Sequence, residues 1–154
     1  MRFALPILAL VAVAALLAGC GGTGSTRSAE GAYQQVSDAT STMAGKGADY
    51  ALIIQDCTAT AKGATAAIDC GQQLLARLAG DFAPIQAAID ALDKVGSSVC
   101  QAKVAKAIDD APLLDGHDPN ALKNEQQAEA LGTQVADQLQ QFAQEIAAAG
   151  SACT

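Results

Sequence analysis

One short segment of the chain brings together residue types that could hold a cation or move a proton. The run from Asp115 to Asp118 contains the single histidine, His117, and further carboxylates lie nearby at Asp109 and Asp110. The segment lacks the ligand spacing and the closing glutamate of an EF-hand loop. It also falls between two predicted helices, where Asp118 would act as a helix cap. We therefore interpret it as a capped loop and not as a metal site.

A second pair of carboxylates, Asp90 and Asp93, lies three residues apart on a predicted helix. This spacing puts both on one helix face, where a solvated surface explains them more simply than an acid–base pair. The sequence has no serine-nucleophile elbow, phosphate-binding glycine loop, dinucleotide fingerprint or zinc-protease helix motif. We therefore expect no enzymatic activity, no catalytic residue, no metal site and no cofactor.

The charge balance argues against a nucleic-acid partner. The chain has 16 acidic and 9 basic side chains, a net charge of −7, so it would repel phosphates instead of displacing their counterions. It has no Trp, 2 Tyr and 3 Phe, which leaves few surfaces on which bases could stack. We therefore expect no nucleic acid among its partners.

The N-terminus has the pattern of an export signal. A positive charge at Arg2 precedes an apolar run from Phe3 to Ala18, and a stretch rich in Gly, Ser and Thr follows. A short positive head, an apolar run and small residues at its end are typical of a secretory signal. A transmembrane anchor is the alternative, but the run is at the lower limit for crossing a bilayer and no charged cluster follows it.

The end of the apolar run reads Leu17-Ala18-Gly19-Cys20. It resembles the lipobox of bacterial lipoproteins, which consists of an aliphatic residue, two small residues and a cysteine. All four positions match, and they lie where the signal should end. The chain is therefore identified, on this motif alone, as similar to bacterial lipoproteins.

The resemblance implies that residues 1–19 are a cleaved signal peptide and that the Cys20 sulfur receives a diacylglycerol through a thioether bond. The new amino group is usually acylated, for example with palmitate. Gly21 stands where many enteric lipoproteins retained in the inner membrane have Asp, so a Gram-negative host would favour the outer membrane, facing the periplasm. Residues 20–28 would form a lipidated, flexible tether, and the protein would contact the membrane through its lipid.

Four cysteines remain if Cys20 carries lipid: Cys57, Cys70, Cys100 and Cys153. An even number in an exported chain favours two disulfides. The alternatives are four free buried thiols or a zinc site. Zinc ligands usually come in close pairs such as C-x-x-C, whereas these cysteines are separated by 13, 30 and 53 positions. The sequence therefore favours disulfides.

The pairing depends on whether the chain turns at Gly63. Cys57 and Cys70 lie nearly symmetrically about Gly63, so a helical hairpin there would bring them together and leave Cys100 to pair with Cys153. If the helix instead continues through Gly63, Cys57 and Cys70 would be about 19 Å apart and unable to pair. Cys57–Cys100 with Cys70–Cys153 would then be the better choice. We favour the hairpin.

The region 29–154 is predicted to form one all-α domain. Apolar or small residues recur at steps of three and four, which indicates one-sided helices. The series are Tyr33, Val36, Thr40, Met43, Gly47, Tyr50, Ile54 and Cys57 near the start, and Ala128, Leu131, Val135, Leu139, Phe142 and Ile146 near the end. Short connections favour an antiparallel up-and-down bundle of about four to five helices.

Glycine, proline and capping residues give approximate helix borders. The first helix begins near Ser28, with a break or bend at 45–47, and a second runs over 64–79 and stops at Gly80. A third begins at Pro84, with Asp81 as its cap, and ends at Gly96.

A fourth helix is predicted from the capping-box spacing at Ser98 and ends before Pro112. Asp118-Pro119 has the pattern of a cap followed by a first-position proline, from which the last helix runs to Gly150.

These features predict a lipid-anchored protein of the bacterial cell envelope that acts as a non-enzymatic binding or interaction module. The segment 138–145 is a candidate partner-binding helix, and the expected partner is an envelope protein. The alternative is a carrier that encloses a small apolar ligand within the bundle. An enclosed apolar pocket would favour the carrier, and a filled core with an exposed apolar strip would favour the interaction module.

Overall fold

A computed structural model describes residues 28–60, 63–116, 122 and 124–154. This part of the chain forms five helices and no β-strand, which confirms the all-α prediction. The helices are α1 (Ala29–Ala44), α2 (Gly47–Thr60), α3 (Ala64–Leu92), α4 (Ser98–Asp109) and α5 (Glu125–Cys153). The predicted signal peptide (1–19), the lipidation site Cys20 and most of the tether (20–28) lie outside the described residues. Within the described ranges, no helix is both long and apolar enough to cross a membrane.

Polar side chains begin three of the helices. Ser28, Ser97 and Asn124 each have an extended backbone. Each side-chain oxygen accepts a hydrogen bond from the backbone N–H three residues later, at 3.0, 3.2 and 3.0 Å. These bonds satisfy amides that have no partner within their own helix.

The cap predicted for the fourth helix lies one residue too late in the sequence. Ser97 is the capping residue, and Ser98 is the first residue of α4. The side chain of Gln101 donates to the backbone carbonyls of Asp93 at 2.9 Å and Gly96 at 3.1 Å. Gln101 therefore closes the α3–α4 turn instead of completing a capping box.

The predicted division at Gly80 and Pro84 is wrong, because α3 continues through both positions. Asp81 is accordingly an interior helix residue and not a cap. An interior proline costs about 3 kcal/mol relative to alanine, but here the apolar stripe continues across it. Gly80 and Pro84 lie on the exposed face, while the opposite face buries Leu74, Leu78, Phe82, Ile85, Ile89 and Leu92. Burial of that stripe outweighs the local cost.

The predicted end of the last helix at Gly150 is also wrong, because α5 extends to Cys153. The hydroxyl of Tyr33 donates to the backbone carbonyl of Ile146 at 2.6 Å. A Cβ added to Gly150 would lie 3.0 Å from the same hydroxyl oxygen. Gly150 therefore leaves space for a buried tyrosine and does not stop the helix. Asp118 and Pro119 lie outside the described residues, but the start predicted there for the last helix is wrong, because α5 begins at Glu125 with Asn124 as its cap.

The helices form an up-and-down bundle in which α1 and α2 together act as the first rod. Against α5, Tyr33 contacts Ile146, Gly47 approaches Leu139, and Ile54 approaches Gly132. This descending order means that α1 and α2 run antiparallel to α5. The Cys57–Cys70 bond and the hydrogen bond between Tyr50 and Asp81 give the same antiparallel relation to α3. The break or bend predicted at 45–47 is a break between α1 and α2, and the chain keeps its direction there.

The core lies between α1, α2, α3 and α5, and α4 covers it by packing on α5. Ring centroids of Phe82 and Phe142 lie 6.1 Å apart in a tilted arrangement, a favourable geometry for an aromatic pair. The largest fully buried side chains come from all five helices and the α4–α5 connection: Tyr50, Phe142, Met43, Leu74, Leu78, Ile85, Leu92, Leu114, Leu131, Ile146, Val36 and Val104.

Both predicted disulfides are confirmed. Cys57 pairs with Cys70, with 5.7 Å between their Cα atoms, and Cys100 pairs with Cys153 at 4.8 Å. Gly63 has a φ of +107°, a left-handed conformation that favours glycine, so it makes the turn on which the pairing prediction depended. The alternative Cys57–Cys100 pairing and the free-thiol and zinc interpretations are therefore wrong.

Candidate binding surface

The loop that begins at Asp115 has the residue types best suited to a cation site. The part of this loop that the structure describes packs against α3. His117 and Asp118 lie outside the described residues. Lys106, one helical turn earlier, donates a hydrogen bond to the carboxylate of Asp110 and forms an ion pair with it. Gly116, at a φ of +73°, lies so close to α3 that an added Cβ would be 2.5 Å from a backbone carbonyl oxygen. Within the described ranges, no group of three His, Cys, Asp or Glu side chains could hold a metal ion.

The pair Asp90 and Asp93 lies at the surface, as the sequence analysis predicted. The Gln86 amide donates to Asp90 at 3.0 Å, and Asp93 is the capping residue at the end of α3. Both roles belong to an exposed helix surface.

The predicted partner-binding segment 138–145 divides between the core and the surface. Leu139 and Phe142 are buried in the bundle. The Gln138 side chain accepts a hydrogen bond from the backbone N–H of Leu113 at 2.9 Å and so attaches the α4–α5 connection to α5. The remaining residues of the segment are exposed or half-buried, and three of them line a groove described below.

A cluster of polar side chains that the sequence analysis did not predict joins the α1–α2 junction to α3. The carboxylate of Asp81 accepts from Lys46 Nζ at 2.7 Å, from the Tyr50 hydroxyl at 2.9 Å and from Arg77 Nε at 3.0 Å. The Asp81 side chain is 14% exposed, and Tyr50 is 1% exposed. Three donors on one carboxylate offset the free energy that its burial costs.

The cluster alters the titration of its members. Burial alone would raise the pKa of Asp81, but hydrogen bonds from Lys46, Tyr50 and Arg77 outweigh burial and hold that pKa below its ordinary value. Burial, followed by the hydrogen bond to Asp81, raises the pKa of Tyr50 well above its ordinary value. Asp81 is therefore ionised and Tyr50 neutral at pH 7. The neutral Tyr50 phenol donates to a carboxylate that already accepts from two other side chains. This hydrogen bond therefore positions α2 and does not form an acid–base pair.

The sequence held only a partial signal for this cluster. Arg77 and Asp81 are four positions apart, which is the spacing of a helical ion pair. Lys46 and Tyr50 are 35 and 31 positions from Asp81, so their approach depends on the packing of α2 against α3. The sequence analysis also interpreted Asp81 as a helix cap, and it therefore did not predict the role of Asp81 in this cluster.

A surface groove follows the boundary between α2 and α5. Its first section has a volume of about 280 Å³. The wall from α2 consists of Ala51, Ile54, Gln55 and Thr58, and the wall from α5 consists of Glu129, Gly132 and Thr133. A Cβ added to Gly132 would lie 3.7 Å from backbone and side-chain atoms of α2, so the two helices approach closely at the groove floor.

The second section shares no lining residue with the first; it lies further along α5, at the α1–α2 junction, and has a volume of about 430 Å³. Its lining consists of small, apolar or amide residues: Ala44, Gly47, Ala136, Leu139, Gln140, Ala143, Gln144 and Ala147. From Glu129 to Ala147 the two sections extend along about 27 Å of α5, at 1.5 Å per residue. We call them together the α5 furrow.

The α5 furrow is almost free of charge on an acidic molecule. Among its described lining residues, only Glu129 has a charged side chain. The α2 wall of the furrow is held at both ends of the helix, because Lys46 and Tyr50 bind Asp81 at the start of α2 and Cys57 is bonded to Cys70 near the end of α2. The furrow is thus a preformed, open and largely apolar surface.

Comparisons of the chain with protein family models, curated protein sequences and solved structures found no match.

Proposed function

We propose that this chain is a lipid-anchored protein of the bacterial cell envelope and that its helical bundle is a non-enzymatic binding or interaction module. The observation that carries the binding role is the α5 furrow. It is a largely uncharged strip on the surface of the bundle, and an exposed strip of low charge is the arrangement expected of an interaction module. The strip is bordered by a helix whose two ends are fixed to α3, so a partner would meet it without the cost of ordering a loop.

The anchoring part of the proposal is supported by the motif Leu17-Ala18-Gly19-Cys20 and by the two disulfides. Disulfides persist in oxidising compartments and are rare in the cytosol, which fits export. Two or more acyl chains on Cys20 would hold the protein at the membrane essentially permanently. In a Gram-negative host, Gly21 favours the outer membrane.

The charge of the domain suits a surface-displayed module. The chain without Arg2 has 8 basic and 16 acidic side chains, so an anionic leaflet would repel it. The tether of residues 20–28 spans up to about 30 Å when extended. Repulsion and tether length together would keep the furrow accessible to a partner.

A second candidate function is a carrier of a small apolar ligand, and the larger section of the furrow is the observation that favours it. That section is lined by Leu139 and by small residues such as Ala136 and Ala143. Its openness to solvent favours a macromolecular partner over an enclosed ligand, because small-molecule sites usually bury most of their ligand's surface.

Photocrosslinking in intact cells tests both functions on the natural, anchored chain. A photoreactive residue replaces Gln140, which lines the furrow, and in a matched control it replaces Gln141, which is exposed on α5 outside the furrow. We expect a covalent adduct with a protein from position 140 and not from position 141. A lipid-sized adduct from position 140 would support the carrier instead, and equal labelling from both positions would contradict a binding role for the furrow.

Membrane attachment is tested separately with Cys20→Ser. We expect the unmodified chain to sediment with membranes and the variant to lose its acyl groups and leave the lipoprotein fraction. A variant that remains fatty-acid labelled would contradict the anchor assignment.

A further inference from the structure

The tether joins the bundle at the end where α1, α4 and α5 meet. The hydroxyl of Tyr33, near the start of α1, donates to the backbone carbonyl of Ile146, late in α5. The start of α4 is bonded to the end of α5 through Cys100 and Cys153, whose Cα atoms lie 4.8 Å apart. The first residues of α1 and α4 and the last residues of α5 therefore lie at one end of the bundle, which we call the tether end.

A large apolar side chain is exposed at the tether end. Val99, in the first turn of α4, is 59% exposed, and Ala102 and Lys103 are its exposed neighbours one turn along the helix. Leu52 is the other exposed large hydrophobic residue of the described chain. It lies beside the contact between α2 and Gly132, about 30 Å of helix from the end of α5. The tether end thus exposes an apolar group that the bundle core does not use.

The two ends of the bundle differ in charge. Exposed side chains of both signs lie near the tether end: Glu30, Asp90, Asp93, Lys94 and Lys103. In the sequence, Arg27 adds a third basic residue beside them. The opposite end, around the Cys57–Cys70 bond and the start of α5, has acidic but no basic side chains among the described residues: Asp56, Asp69, Asp115 and Glu129. The neighbouring residues whose side chains lie outside the description do not change this difference, because Asp118 and Glu125 offset Lys62 and Lys123.

This difference in charge fits an anionic membrane surface. A negatively charged leaflet repels the acidic end of the bundle and attracts lysines close to it, so the nearly neutral tether end is the end that can face the lipid. Val99 can then enter the boundary between headgroups and acyl chains, where apolar side chains of interfacial helices are buried. A chain anchored in the bilayer meets this surface at high effective concentration, so a small contact area is sufficient.

We propose that the tether end is a membrane-docking surface, at which Val99, Lys94 and Lys103 contact an anionic lipid bilayer. This inference rests on the proposed anchor at Cys20, because the tether of residues 20–28 keeps the tether end within about 30 Å of the bilayer. A bundle docked in this way stands end-on, and the α5 furrow, which follows its side, remains open to a partner. Docking therefore fixes the direction in which the candidate binding surface is presented.

Fluorescence quenching by phospholipids with a nitroxide headgroup tests the contact on the mature, lipidated protein in phosphatidylglycerol vesicles. A fluorescent amino acid replaces Ala102, which is exposed beside Val99, and in the matched control it replaces Ala59, which is exposed at the opposite end. We expect quenching about threefold stronger at position 102, because only the docked end reaches the headgroups. Equal quenching at the two positions, or stronger quenching at position 59, would overturn the proposal.

A pair of variants tests the apolar contact itself. Val99→Glu puts a negative charge on the docking surface, and Leu52→Glu makes the same change at the other exposed large hydrophobic residue. We expect the first to lower quenching at position 102 to the level of position 59 and the second to leave it unchanged. Both side chains are exposed, so both variants should keep the helical circular dichroism of the parent. Undiminished quenching in Val99→Glu would contradict the assignment.

Flotation of the same vesicles separates this inference from the proposed anchor. A protein that does not float with the vesicles lacks the anchor, and both the anchor and the docking surface are then refuted. A protein that floats while position 102 stays unquenched keeps the anchor and refutes the docking surface alone. In phosphatidylcholine vesicles we expect weaker quenching at position 102, because the repulsion that orients the bundle is lost. Equal quenching in the two kinds of vesicle would refute an anionic surface as the partner.

Discussion

At the scale of single residues, Asp81 decides how α2 is placed. Its carboxylate binds Lys46 at the α1–α2 junction, Tyr50 in α2 and Arg77 in its own helix. The first two bonds connect elements that are distant in sequence, and each draws the start of α2 towards α3. Because Gly47, next to Lys46, lines the α5 furrow, the same bonds define one end of the candidate binding surface.

Asp81→Asn should lower the free energy of unfolding by about 1–2 kcal/mol at pH 7, because hydrogen bonds to a charged group are lost. The folded-state pKa of Asp81 lies below its ordinary value, so its contribution to stability is complete above about pH 4 and is lost as the pH falls through the folded pKa. Denaturant titrations at several pH values should therefore show the two proteins converging in acid. Asp90→Asn, at an exposed position, is the control, and a constant difference at all pH values would contradict the account.

Thr40 is buried, at 2% exposure, and its hydroxyl is the side-chain oxygen that lacks a hydrogen-bond partner in the described part of the chain. Thr40→Val should raise the free energy of unfolding by about 1 kcal/mol, because it replaces an unpaired hydroxyl by a methyl group of similar size. The reverse change one turn earlier, Val36→Thr, should lower it by a similar amount. Thermal unfolding measures both, and a destabilised Thr40→Val would show that the hydroxyl has a partner.

At the scale of elements, helical periodicity predicted most of the helices. Glycine and proline gave wrong helix borders where the burial of an apolar face keeps the helix continuous. The turn at Gly63 uses a glycine with a positive φ, and the chain breaks between α1 and α2 at 45–47. Gly80 and Pro84 have the same local signal, yet α3 continues through them because its opposite face is buried. Gly150 leaves space for the side chain of Tyr33, which is more than a hundred positions away in the sequence. No local sequence pattern could reveal this contact.

Continuity of α3 makes Pro84→Ala a sharp test of this element. In a continuous helix alanine restores the hydrogen bond to the carbonyl of Gly80, so the free energy of unfolding should rise by about 1–3 kcal/mol. If a helix began at Pro84, alanine would instead be neutral or destabilising, because proline is favoured at a first helical position. Equilibrium unfolding in urea gives the sign. Gly80→Ala, whose new Cβ would meet no atom within 4 Å, should add about 0.5–1 kcal/mol.

At the scale of the whole molecule, two disulfides fix the ends of the bundle. Cys57–Cys70 joins α2 to α3, and Cys100–Cys153 joins the start of α4 to the end of α5. The pairing was predictable because the cysteines lie symmetrically about a turn. The α5 furrow was not, since its walls come from helices whose relative position depends on Asp81 and on the close approach at Gly132. The segment 138–145, predicted as a partner-binding helix, contributes part of one wall of the furrow, and its binding role stays a prediction.

The two disulfides should differ in their effect on stability. They close loops with sequence separations of 13 and 53, and the chain-entropy treatment gives about 3 and about 4 kcal/mol respectively. Replacing both cysteines of each pair by serine, one pair at a time, should therefore lower the melting temperature in both cases and more strongly for Cys100 and Cys153. A larger loss from the Cys57–Cys70 pair would indicate that α2 placement outweighs chain entropy.

The central claim is a disulfide-linked helical domain carried on a lipidated cysteine, and intact-protein mass spectrometry of the membrane-extracted chain tests it most directly. The account predicts a mature chain that begins at Cys20, carries a diacylglycerol and an amide-linked acyl group on that residue, and gains four thiol hydrogens on reduction because Cys57, Cys70, Cys100 and Cys153 form two bonds. A chain that retains residues 1–19, or one that begins elsewhere with an unmodified Cys20, would contradict it.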